Sequence, residues 1–219
     1  MTTSTGLREL HKQQTQQLIS DAASSLFAER GFDGVTVAEV ARAAGVSEMT
    51  VFNHFPTKED LFFAKMEFFE ERLLDAVRGR ATGVSALEAF RRPVVDGCRK
   101  LGENANAERI ARAASLIGAS PPLQVREREI VARFTDLLAA LLAIETGKPP
   151  DDVEPRAVAA ALMGVHRAVV HHVRSSVLAG RRGRALANSA RSQARRAFAR
   201  LEGGIAEFAI KTDRGGTRV

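Results

Sequence analysis

The 219-residue sequence has one cysteine, no tryptophan and no tyrosine. Cys98 cannot close a disulfide within the chain and has no metal-ligand spacing around it, so it suits a reducing compartment and reads as a small buried apolar residue. Long hydrophobic runs are also missing. The longest, Leu137 to Ile144, is eight residues, far short of the about 20 that a membrane span needs. The first fourteen residues, MTTSTGLRELHKQQ, lack the apolar centre of a secretory signal. These absences predict a soluble, cytoplasmic protein with no membrane partner. No nucleophile elbow, phosphate loop, zinc-helix motif or paired Glu-x-x-His occurs, which argues against an enzyme and calls for no cofactor.

What the sequence does have is enough apolar content, 45%, to bury a core and exclude disorder. Its net charge is +6, with a pI near 10.2, which invites a nucleic-acid reading, but the distribution matters more than the total. Residues 1–60 carry 5 basic and 8 acidic side chains, a balance of −3; residues 61–120 balance at +2 and residues 121–219 at +7. The excess lies in Arg181, Arg182, Arg184, Arg191, Arg195, Arg196 and Arg200, which read as a solvated helix face.

Nearly every segment has helical periodicity and none alternates in the manner of a strand, so the class is all-α, with about nine helices. Ile19, Ala22, Ala23, Leu26 and Phe27 form one apolar stripe of a helix from about Leu7 to Arg30, closed by Gly31 and Phe32. Thr36-Val-Ala-Glu39 is a capping box opening a two-turn helix that stops at Gly45. Ser47 caps the next short helix, and Pro56-Thr57 ends it and starts a longer one, Lys58 to about Arg80. Further helices are expected at about 85–101, 104–119, 122–145, 152–179 and 182–211, with frayed tails at 1–6 and 212–219.

The stretch TVAEVARAAGVSEMTVFNHFPTKEDL, Thr36 to Leu61, has the grammar of a helix-turn-helix. Val37, Val40, Ala41 and Ala44 give the first short helix a buried side, and Ala41 is small enough for a close crossing. Gly45 supplies the positive φ of the tight turn, and Val46 plugs the angle. In the second helix Val51, Phe52 and Phe55 are expected to point inward. Ser47, Glu48, Met49, Thr50, Asn53 and His54 are then left outward, where such a motif faces the DNA groove.

The GF before the capping box, Thr36 with Glu39, AGVS at 44–47 and FNHFPTKEDL at 52–61 together resemble the N-terminal domain of the TetR family of bacterial regulators. The resemblance implies a DNA-binding domain at 1–57 and a helical ligand-binding and dimerisation domain at 58–219. It implies phosphate contacts from Thr36 and Lys58, and base-edge or adjacent phosphate contacts from Ser47, Glu48, Met49, Thr50, Asn53 and His54. Asn pairs with adenine, and Thr and Met meet a thymine methyl. Phe52 departs from the family's usual tyrosine and loses a hydroxyl bond to phosphate, leaving a ring that packs or touches the sugar-phosphate edge. Repression, a homodimer reading an inverted repeat in double-stranded DNA, and release by a small-molecule effector are likewise what the resemblance implies.

For the dimer, two stripes are expected to pair: Val158, Leu162, Val165, Val169 and Val173, and then Leu186, Ala190, Ala194, Ala197, Phe198, Leu201, Ile205 and Phe208. For the effector cavity the candidates are Phe63, Met66, Arg112, Leu116, Phe134, Leu138, Met163, His166 and Val170, with an ordinary core as the alternative. His166 and His171, five apart, do not share a helix face, and no Cys or carboxylate cluster joins them, so no metal site is expected. The rival to a regulator is a helical interaction protein that docks an acidic partner on its arginine-rich last helix.

Overall fold

A computed structural model describes residues 3–204 as an all-helical chain, with no strand among them. The helices are α1 (Thr3–Arg30), α2 (Val37–Ala44), α3 (Glu48–His54), α4 (Lys58–Arg78), α5 (Ala86–Gly97), α6 (Asn104–Ala119), α7 (Pro121–Thr146), α8 (Val153–Leu178) and α9 (Gly183–Glu202). A turn of 3₁₀ helix, Cys98–Gly102, follows α5. Periodicity predicted one helix through Leu101. The chain instead tightens between Gly97 and Gly102, glycine being the poorest helix former in that stretch apart from Pro93. α1 begins at Thr3 rather than Leu7, because the polar run ahead of Leu7 has no proline to stop it. Gly203 and Gly204 end α9 at Glu202. The rest of the expected last helix, to Lys211 with Ile205 and Phe208, and the expected tail at 212–219 lie outside the described residues.

α1 packs on α2 and α4, while α8 lies between α7 and α9 with α6 beside it. Ile19, Ala23 and Phe27 of α1 are buried as their spacing predicts. Phe27, Phe32, Phe62 and Phe63 form a chain of ring contacts with centroids 5.1–5.8 Å apart that fixes α1 to α4. α4 and α7 run side by side in the same direction and are joined near both ends: Arg126 meets Asp60 at 2.6 Å and Glu145 meets Arg80 at 2.6 Å.

The stripes assigned to dimerisation belong to the protomer itself. Leu186, Ala190, Ala194 and Phe198 are fully buried against α5, α8 and the 3₁₀ turn, and Leu162, Val169 and Val173 are buried too. An amphipathic face must be covered, and here the same chain covers it first. Val158 stays exposed and Val165 half-buried.

Candidate functional site

The helix-turn-helix is held by local chemistry. Thr36 Oγ1 accepts from the Glu39 N–H, and the Glu39 carboxylate accepts from the Thr36 N–H at 2.8 Å, closing the capping box. Those bonds, above all the backbone N–H of Thr36 and then Arg30 at 2.7 Å, pull the Glu39 pKa down to about 2. At the other end of α2, Gly45 has φ +70°, and the Val46 N–H reaches back to the Ala41 carbonyl at 3.0 Å. Ser47 then caps α3, its Oγ accepting from the Thr50 N–H at 3.1 Å and lying 2.8 Å from the Thr50 hydroxyl.

Val40, Ala41, Val51 and Phe55 are buried beneath the turn. Phe52 is not: 45% of its surface is exposed, which corrects the inward assignment. α3 buries Val51 and Phe55, four residues apart, and Phe52 lies about 100° round from Val51. It joins Ser47, Glu48, Met49 (69% exposed) and Asn53 on the outward face, with Thr50 and His54 half-buried at its margin. Burial, with Lys12 of α1 nearby, lowers the His54 pKa and favours the neutral ring. The Lys58 ammonium stands 4.5 Å over the Phe32 ring, which holds it at the first turn of α4.

Asp60 links this region to the rest. It completes a second capping box, accepting from the Thr57 N–H at 2.9 Å while its own N–H donates to Thr57 Oγ1. Its other oxygen accepts from Arg126 Nε of α7 at 2.7 Å. Arg126 was not foreseen, since its partner lies 66 positions away and only the Thr57-Asp60 spacing is legible locally.

Behind α4 lies a cavity of about 640 Å³ with walls from α4, α5, α6, α7 and α8. Phe63, Met66, His166 and Val170 are on its wall. Phe134, Leu138 and Met163 are buried in the core elsewhere, while Arg112 is exposed and Leu116 half-buried away from the wall. α6 presents Ile110, Ala113 and Ile117 to the cavity, so 112 and 116 were one helical step off. The sequence reading also missed Glu70, whose side chain is 2% exposed with Oε2 unpartnered. Burial, then the neighbouring Glu67, pushes its pKa up to about 7. His166, 7% exposed, has Nδ1 unpartnered, and burial lowers its pKa to about 4. Its ring centroid is 5.6 Å from that of Phe69. Among the described residues no three His, Cys, Asp or Glu side chains gather as a metal site, and no helix is long and apolar enough to cross a membrane.

Residues 19–64 match the model for bacterial regulatory proteins of the tetR family, and residues 84–206 match that for the MftR C-terminal domain. The chain belongs to the TetR family of bacterial transcriptional regulators. Within that family its C-terminal part is of the MftR type. It is 28% identical over 173 residues to the HTH-type transcriptional regulator TcmR of Streptomyces glaucescens, covering 75% of each chain. It is 29% identical over 131 residues to the nucleoid occlusion factor SlmA of Haemophilus influenzae, 58% of this chain and 57% of that relative, so it spans less than two thirds of SlmA. Its fold is like that of Thermus thermophilus FadR, a TetR-family repressor solved with lauroyl-CoA: TM-score 0.52, 23% identity, 92% of this chain and 99% of the other.

Proposed function

We propose that this chain is a cytoplasmic, homodimeric repressor that binds an inverted-repeat operator and leaves it when a small apolar effector fills the cavity. The observation that supports this most is the outward face of α3. A seven-residue helix is marginal alone, yet here it is capped, bolted down by Val51 and Phe55, and left with the large apolar side chains of Met49 and Phe52 exposed beside Glu48 and Asn53. In this reading Thr36 and Lys58 hold phosphates; Ser47, Glu48, Met49, Thr50, Asn53 and His54 meet base edges and adjoining phosphates, and Phe52 lies on the sugar-phosphate edge. The reading head is residues 1–57 and the sensing and pairing domain 58–219. Dimerisation uses the surfaces that α8 and α9 leave open, around Val158, Ala161, Ala168, Ala185 and Ser192. The paired heads then stand about 34–36 Å apart, one turn of DNA.

The effector acts by population shift: it prefers one position of α4, and the Asp60–Arg126 link carries that position to the Thr57-Lys58 junction. The test is to incubate the purified protein with fragmented genomic DNA at about 0.15 M salt and sequence what is retained. Enrichment of a short inverted repeat is the expected result; uniform recovery rejects sequence-specific binding.

A further inference from the structure

The cavity holds two buried groups that nothing in the protomer satisfies. Glu70 Oε2 and His166 Nδ1 both lie on its wall without a hydrogen-bond partner, and a buried polar atom left alone costs about 1–3 kcal/mol. Three ionisable neighbours are already engaged: Arg174 with Glu127 at 2.5 Å, Arg133 with Glu67 at 2.8 Å, Lys65 with Asp21 at 3.0 Å. The exposed wall residues, Lys65, Arg109, Arg167 and His171, mark the open side, so Glu70 and His166 belong to the closed one.

Burial makes charge of either sign costly there. A carboxylate brought to Glu70 meets Glu67 and Glu127 against Arg133 and Arg167, two acids against two bases, and an ammonium brought to His166 meets Arg174. The raised Glu70 and lowered His166 pKa values report the same preference for neutral forms. A hydroxyl, which donates and accepts through one oxygen, is the smallest uncharged group that satisfies an acceptor and a donor together. The surrounding wall carries the rings of Phe62, Phe63 and Phe69 and the Met66 thioether beside aliphatic side chains such as Ile110, Val131 and Val170, an apolar lining in which an aromatic ring is accommodated.

Building on the reading of this cavity as the effector site, we infer that its ligand is an uncharged aromatic molecule whose buried end carries a hydroxyl group bonded by Glu70 and His166. Three probes of one shape test this against the full-length protein at pH 7 by calorimetry: 2-naphthol, 2-naphthoate and 2-naphthylmethylammonium. The naphthol is expected to bind at least about tenfold tighter than either ion, the worth of one to two satisfied hydrogen bonds. Glu70→Leu and His166→Phe are each expected to cost it about tenfold, while Glu70→Gln, which keeps a hydrogen-bonding group, stays within about threefold. Equal or tighter binding of either ion, no binding of any probe, or unchanged naphthol affinity in both apolar variants overturns the inference. Operator affinity at saturating naphthol is read separately. If it does not change while the naphthol preference holds, the effector role fails and the cavity chemistry stands.

Discussion

Replacing Arg126 with methionine keeps the aliphatic stem and removes the guanidinium that joins α7 to the start of α4. Two nitrogens reach Asp60 Oδ1 at 2.7 and 2.6 Å, and a third bonds the exposed Glu129 at 3.0 Å. The Glu129 pair is worth little. Asp60, 5% exposed, would keep only the Thr57 N–H. Breaking a buried pair costs about 3–5 kcal/mol, and because the Arg126 side chain is 29% exposed, screening reduces this to about 2–3 kcal/mol. For a chain of this length that corresponds to about 5–10 °C in Tm. Urea unfolding at fixed protein concentration, followed by helicity, should be run on Arg126→Met, Asp60→Asn and the double variant. A coupling energy of about 1.5–2 kcal/mol is expected, and additivity within about 0.5 kcal/mol would refute the argument that this pair fastens the two regions.

Alanine at both Asn53 and His54 should weaken operator binding by about 1–3 kcal/mol per lost base contact with helicity unchanged; a fall in far-ultraviolet signal would make them structural. For Glu70 the folded pKa, about 7, lies above the ordinary value of 4.5. The unfolded chain therefore releases this proton first as pH rises, and stability falls between about pH 4.5 and 7. Glu70→Gln should then be the more stable protein at pH 8, by on the order of 3 kcal/mol, with the gap closing by pH 4; a gap independent of pH would contradict the assignment. Burial pushes the Cys98 thiol up to about 11, so although it lies on the cavity wall its labelling by a disulfide reagent at pH 8 should be slow for want of thiolate, and rapid stoichiometric labelling of the folded protein would disprove its inert character.

Features that depend on a few adjacent residues were legible in the sequence. The Thr36-Glu39 box, the turn at Gly45 and the Ser47 cap are each written within four positions. Phe52 was placed inward along with Val51 and Phe55 because a helix of seven residues has too few turns for its periodicity to separate 52 from the buried face. Leu186, Ala190, Ala194 and Phe198 were correctly seen as one face, but a stripe states that it is buried and not which chain buries it. On α6 the residues facing the cavity were off by one step, and Glu70 escaped notice because an acid on a helix reads as solvated until its neighbours are placed. Arg126 and Asp60 meet only through the packing of α4 on α7.

Gly45 sits on the surface with nothing within 4 Å of where a side-chain carbon would go. Bulk is therefore irrelevant at this turn, and its φ of +70° makes handedness the whole constraint. A D-alanine placed there by chemical ligation should fit without strain and stiffen the unfolded chain, stabilising the protein by about 0.4–1 kcal/mol, where L-alanine destabilises it. Mirror-image chemistry at one exposed residue is thus a means of tightening the angle between α2 and α3 without touching any group that faces outward.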